Sequence, residues 1–341
     1  MRSLRSALHP DFVTSVVATG HAYPSALVSN EEYAARAQFP LGDVAALAAE
    51  TRLTTRTWCA PGETTYTLAR TAVERALAAT PPELRATIDL VLVASGTSVP
   101  VLHPVDEAQP GTADLAPLLV RDLGRQGVLG MDIKACYCTG FLRALQVADA
   151  MLGTPGFRSA LIVATEQGSR LATAASNRST FCFLMSDAAG AAVLTRAPIA
   201  DGVGLIDQVA FTDGSRQDLI TVAPDGVSML VRGNRAAVAT HEMLVACATT
   251  LLDRHGLTPD DIAWMVPIQT HARIIDGLAT ALAWPRERIL WRGDVTGFSG
   301  SASIPACLSE HRERGVIRPG DLVMSLAVGA GMNAGGALYH V

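Results

Sequence analysis

Apolar positions along this chain fall into two alternating rhythms. Short continuous runs, Val13-Thr-Ser-Val-Val-Ala-Thr19, Ile88-Asp-Leu-Val-Leu-Val-Ala-Ser95 and Ile262-Ala-Trp-Met-Val-Pro267, read as buried strands. Longer segments repeat every three to four residues and predict helices over 68–79, 141–151, 236–254 and 271–282. Two of the strands share a prelude, a helix terminus and a turn: Pro81-Pro-Glu-Leu before one, Leu257-Thr-Pro-Asp-Asp before the other. Small-residue strands also recur, Ser186-Asp-Ala-Ala-Gly-Ala-Ala-Val-Leu194 and Val328-Gly-Ala-Gly-Met-Asn-Ala-Gly-Gly-Ala-Leu338, where backbones or sheets can approach closely. The economical reading is a duplicated α/β unit, with halves at 1–195 and 205–341. Pro198-Ile-Ala-Asp-Gly-Val-Gly204 is then the crossover, and the polar stretch 217–236 a hairpin or loop over the cleft between halves.

Composition narrows the class. With 341 residues, 49% hydrophobic, 17% charged and 29 glycines, the chain suits a tightly packed α/β protein. The net charge of -5 comes without a basic block, which removes the electrostatic basis for nucleic-acid binding. The opening Met-Arg-Ser-Leu-Arg-Ser-Ala-Leu faintly resembles a signal sequence, but Asp11 interrupts it. No run of 18 apolar residues occurs, so no membrane span is expected. Six irregularly spaced cysteines do not make a disulfide scaffold, and a reduced cytoplasmic protein is expected.

Candidate chemistry concentrates where strand-like sequence gives way to helix. In Asp132-Ile-Lys-Ala-Cys-Tyr-Cys-Thr-Gly-Phe-Leu142, Cys138 stands just before a helix whose N-terminus favours thiolate. A buried core thiol is the competing reading. Cys136 faces the same side on an extended strand and reads as an apolar neighbour. No Cys/His pair follows at finger-like spacing, so no metal is expected. His271 falls in a first helical turn, where the helix dipole keeps an imidazole neutral and able to accept a proton; a surface or capping histidine is the bland alternative. Gly329 and Gly331 can present backbone N–H groups to a developing oxyanion. Phe298 suits either a pocket wall or a core position, Asp294 is placed to orient His271 or a substrate, and Val99–Leu102 suits a pocket loop. Asp187 reads as an acceptor of backbone hydrogen bonds, and Cys182, Cys247 and Cys307 as structural.

Taken in order, several segments resemble the β-ketoacyl-acyl-carrier-protein synthase III-like family of the thiolase superfamily. They are Gly20-His-Ala-Tyr-Pro24, Pro61-Gly-Glu-Thr-Thr65, Cys138-Thr-Gly-Phe-Leu142, the two small-residue strands, Ser301-Ala-Ser-Ile-Pro305 and Arg318-Pro-Gly-Asp-Leu322. The resemblance implies a thiolase-like five-layer αβαβα fold of two duplicated halves, usually a homodimer. It also implies an acyl-cysteine formed from an acyl-coenzyme A or acyl-carrier-protein thioester, with coenzyme A or phosphopantetheine as part of the donor and no tightly bound cofactor. Cys138 matches the family nucleophile when Gly-Phe-Leu is the anchor, with Cys136 the fallback. The segment is one residue longer after Asp132 than the common pattern, and anchoring from that side lands on Tyr137.

The partner motifs depart from the family. His-Gln-Ala-Asn corresponds to Ile268-Gln269-Thr270-His271, and the asparagine of the Gly-Asn-Thr-Ser-Ala-Ala-Ser-Ile-Pro motif falls at Phe298. Neither Ile268 nor Phe298 can hydrogen-bond an enolate, and each lost donor costs about 2.7–4 kcal/mol. Sequence alone therefore favours an acyltransferase: Cys138 takes the acyl group, Cys138, Gly329 and Gly331 supply oxyanion donors, and His271 deprotonates an alcohol, amine or other small-molecule acceptor, without decarboxylation. The alternatives are a divergent carbon–carbon condensing enzyme relying on His271, and a non-catalytic partner subunit.

Overall fold

The computed structural model describes residues 2–3, 11–37, 39, 41–97, 114–134, 137–173, 176, 180–200, 203–224 and 228–341. Two five-stranded sheets carry the architecture. The first contains β1 (Val13–Ala22), β2 (Ile88–Ala94), β3 (Leu129–Ile133), β4 (Ser159–Gln167) and β5 (Asp187–Ala197), in the spatial order β1-β5-β4-β2-β3. The second contains β6 (Gly204–Thr212), β7 (Trp264–Pro267), β8 (Leu322–Gly329) and β9 (Asn333–His340), in the order β6-β9-β8-β7.

Strand directions establish the duplication. β1–β5 and β5–β4 are antiparallel and β4–β2 is parallel. The second sheet repeats the series: β6–β9 and β9–β8 antiparallel, β8–β7 parallel. Arg2–Ser3 pair antiparallel with Ala210 and Val209 of β6 and supply the fifth strand of the second sheet.

Helices complete five layers. Helix α1 (Thr65–Ala78), opened by a reciprocal Thr64/Thr67 capping box, covers the outer face of the first sheet. Helices α2 (Gly140–Leu152) and α5 (Ser303–Glu313) lie between the sheets, and α3 (Gly233–His255) covers the second sheet from outside. α3 ends at Gly256, left-handed at φ 61°, as a helix C-terminus favours. The fold is thus the αβαβα arrangement. Small residues allow its tight layering: a side chain on Gly190 would collide with the backbone of Pro305 and Ala306 in α5. One apolar cluster runs from the inner face of the first sheet through α2 and α5 into the second, while another fills the space under α1.

The stretch expected over the cleft contains a short antiparallel pair, Ile220–Val222 with Met229–Val231. Among the described residues no helix is long and apolar enough to cross a membrane.

Candidate active site

β3 leads toward the turn that holds Cys138, the candidate nucleophile. The carboxylate of Asp132, near the end of β3, accepts the backbone N–H groups of Leu115 and Ala116, which fixes where this edge strand stops. Residues Tyr137–Thr139 then make one tight turn that runs into α2 at Gly140, with Tyr137 left-handed at φ 47°. Such a conformation is costly for a bulky residue and re-aims the chain between strand and helix. Phe141, Leu142, Leu145 and Ala148 anchor α2 in the core, leaving Cys138 half-buried at its start. Cys136 lies outside the described residues.

Cys138 borders two cavities. The larger, about 580 Å³, is walled near the thiol by Ile268, Phe298, Leu184 and Val328, and toward solvent by Glu50, Asn234, His241, His271 and Arg273. Ile268 and Phe298 are 2% and 3% exposed, so the walls they give the cavity beside Cys138 are apolar and well packed. The loop that carries Ile268 and His271 is pinned from outside the cavity. Gln269 donates to the carbonyls of Pro267 and Leu290 and accepts from the backbone N–H of Arg292, while Trp291 donates to Thr270.

His271 caps helix α4 (Ala272–Ala281). It stands one position before the helix rather than in its first turn, and its Nδ1 accepts the backbone N–H of Arg273 at 3.3 Å. Burial holds the imidazole pKa below its ordinary value, with Glu50 opposing and Arg273 adding to the shift. A neutral imidazole whose Nδ1 accepts carries its proton on Nε2. His271 is therefore set up to donate a hydrogen bond, which does not suit the base role expected from sequence.

The smaller cavity, about 30 Å³, lies on the other side of Cys138, against Tyr137, Phe181, Met185, Phe298 and Ala330. Glu166 closes it and was not singled out by sequence reasoning. Its fully buried carboxylate accepts from the backbone N–H groups of Gly96 and Thr97 and from the hydroxyls of Ser95, Thr97 and Ser301. Burial raises its pKa, and the Ser301 and Thr97 hydrogen bonds oppose that rise most. The donors come from segments far apart in the chain, so no local motif announces this site.

The glycine-rich turn borders both cavities, Val328 facing the larger and Ala330 the smaller. Gly331 sits at φ 121°, and a side chain there would strike the Asn333 amide, which itself donates to the Ala330 carbonyl. Gly329 ends β8 and pairs with Asn333, and β8 runs against the turn that holds Cys138. Asp294 is placed differently from expectation. Its backbone carbonyl accepts from Thr54, its carboxylate is not among the groups walling the cavity, and its Oδ1 is buried without a hydrogen-bond partner. Asp187 accepts backbone N–H groups from Cys59 and Ser169. Val99 and Leu102 lie outside the described residues.

Comparison with known proteins agrees with this fold. Residues 131–214 match the family model 3-oxoacyl-[acyl-carrier-protein (ACP)] synthase III, and residues 252–341 match the model of its C-terminal part. A β-ketoacyl-[acyl-carrier-protein] synthase III of Sphingopyxis alaskensis is 34% identical over 329 residues, spanning 95% of this chain and 97% of that protein. Among solved structures, the Thermus thermophilus β-ketoacyl-[acyl carrier protein] synthase III superposes with a TM-score of 0.81 at 27% identity, covering 96% of this chain and 99% of that one. The priming β-ketosynthase of the R1128 polyketide biosynthetic pathway gives 0.82 at 26% identity, with 96% of each chain covered. These relatives correct the expectation of acyl transfer to an alcohol or amine without decarboxylation: their names are those of ketosynthases, enzymes of condensation.

Proposed function

From membership of the 3-oxoacyl-[acyl-carrier-protein] synthase III family, to which this chain belongs, we propose that it is a divergent carbon–carbon condensing enzyme, with Cys138 carrying the acyl group and His271 donating to the second thioester. The observation that carries this reading is the polarity of His271. Its Nδ1 is engaged by Arg273, so Nε2–H is what it offers a ligand in the cavity it shares with Cys138.

In the first half-reaction the Cys138 thiol gives its proton to solvent and the thiolate attacks the carbonyl of an acyl-coenzyme A or acyl-carrier-protein thioester. Backbone N–H groups of Cys138 and the Gly329–Gly331 turn are the candidate donors to the tetrahedral oxyanion. The donor's C–S bond breaks, its thiolate leaves and takes a proton back from solvent, and the acyl group remains on Sγ. In the second, a malonyl-type thioester enters the larger cavity and loses carbon dioxide. The electron pair of the broken C–C bond becomes an enolate, whose oxygen accepts the His271 Nε2–H. The nucleophilic carbon then attacks the acyl carbonyl, a C–C bond forms, and the C–Sγ bond breaks to restore the thiolate. Decarboxylation generates the carbanion without a base, which suits a histidine whose free nitrogen already bears its proton.

Coenzyme A or phosphopantetheine enters as part of the donor. A homodimer fits as well: among the described residues β3 pairs only with β2, and Leu129 is exposed at the sheet edge. Intact-mass analysis after incubation with acyl-coenzyme A, followed by malonyl thioester, tests the reaction. The expected sequence is an adduct on Cys138, then carbon dioxide release matched one-to-one by a product extended through a new C–C bond. A product in which the acyl chain is not extended would overturn the proposal.

A further inference from the structure

The cavity behind Cys138 is small because one residue fills it. Tyr137, where the segment anchored from Asp132 lands, takes the left-handed conformation and packs its ring against Gly96; even a methyl group on Gly96 would overlap that ring. Phe181 and Phe298, edge to face with ring centroids 6.0 Å apart, stand on the same cavity, together with Leu171, Met185 and Met229. What remains among the described residues is about 30 Å³.

We infer that Tyr137 is a specificity-determining residue that limits the length of the apolar acyl group carried on Cys138. This rests on the acyl-enzyme reading above. The larger cavity must stay open for the carrier arm and the second thioester, so the acyl chain of the intermediate belongs in the smaller one. The walls there are aromatic and aliphatic, and the polar atoms of Glu166 are already taken by the donors of Ser95, Gly96, Thr97 and Ser301. A polar or charged acyl group would find no unengaged acceptor on Glu166. The Tyr137 ring is in contact with Gly96, and its backbone opens the Tyr137–Thr139 turn that holds Cys138.

The test is a loading series on the full chain with acetyl-, butyryl-, hexanoyl- and octanoyl-coenzyme A, read as adduct mass and rate on Cys138. Octanoyl loading should be at least about a hundredfold slower than acetyl loading, the scale on which forcing methylenes into a packed site operates. Tyr137→Ala should bring the two within about tenfold, Tyr137→Leu should move the cut-off part of the way, and Tyr137→Phe should keep it. Equal loading of acetyl and octanoyl groups by the unaltered chain overturns the inference, even if the alanine variant does not fold. An unchanged length profile in well-folded Tyr137→Ala overturns it while leaving the acyl-enzyme standing. Absence of any Cys138 adduct across the whole series overturns both.

Discussion

The two cavities that meet at Cys138 are built on opposite plans. Behind the thiol, a buried carboxylate is saturated by donors from distant segments, and aromatic rings occupy nearly all the remaining space. In front, the space is about 580 Å³, its neck is apolar, and its polar groups stand back toward solvent. The contrast teaches where selectivity and chemistry reside. The rear is packed to fit one small shape, whereas the front accepts a long arm and depends on one pinned loop to aim one imidazole. Ile268 and Phe298 give the neck apolar walls and donate nothing, so in the proposed reaction the hydrogen bond from His271 would carry what a pair of donors shares.

Cys138→Ala breaks the comparison at its hinge and should have the largest effect. Acyl adduct formation and condensation should both disappear, as read by intact mass and product formation, while the urea-unfolding midpoint stays close to that of the unaltered chain. Adduct surviving in this variant would move the nucleophile elsewhere.

Phe298→Ala should merge the two cavities. Phe298 is 3% exposed, packs against Phe181, and is held by backbone hydrogen bonds to Leu184 and Ser186 that the substitution leaves in place. Loss of a buried phenylalanine ring costs about 3–5 kcal/mol, measurable by denaturant unfolding. A cost near zero would mean that the ring is a removable lid rather than a dividing wall.

His271→Ala tests the front alone. Loading of Cys138 should proceed unchanged, and condensation should fall by about a hundredfold to a thousandfold, the usual consequence of removing one transition-state donor. If loading fell with condensation, the imidazole would be serving the thiol instead of the second thioester.

These plans were unequally legible in the sequence. The repeated strand patterns carried the duplicated halves, because packed layers impose periodicity on nearby residues. Cys138 was legible for the same reason, since a helix must begin after it. The rear cavity was hidden: Glu166 gathers Ser95, Gly96, Thr97 and Ser301, which no window of sequence joins. Tyr137 registered only as the position where anchoring from Asp132 lands, and its proposed role depends on the ring finding Gly96 in β2's following turn. His271 was found but read as a base. Which nitrogen holds the proton depends on the capping hydrogen bond from Arg273, a detail of φ and ψ that composition does not encode. Asp294 was misplaced because proximity in sequence to the Phe298 segment says nothing about which way its carboxylate turns.

The smallest effect separates the cavities by their response to acid. Burial holds the His271 pKa below its ordinary 6.5, so the unfolded chain takes up this proton first as pH falls. The stabilising contribution of neutral His271 is thus complete above about pH 6.5 and is lost as pH falls from there through the depressed folded value. Glu166 has the opposite sign. Its raised pKa makes its contribution to stability greatest below the ordinary carboxylate range, and that contribution shrinks as pH rises through the folded value. Unfolding free energies measured from pH 7.5 down to pH 5 for the unaltered chain and His271→Ala should therefore converge as pH falls, because the variant lacks the proton uptake that costs the parent stability. Parallel curves across that window would show that His271 has the same proton affinity folded and unfolded, and would remove the basis for treating its imidazole as a fixed, neutral donor.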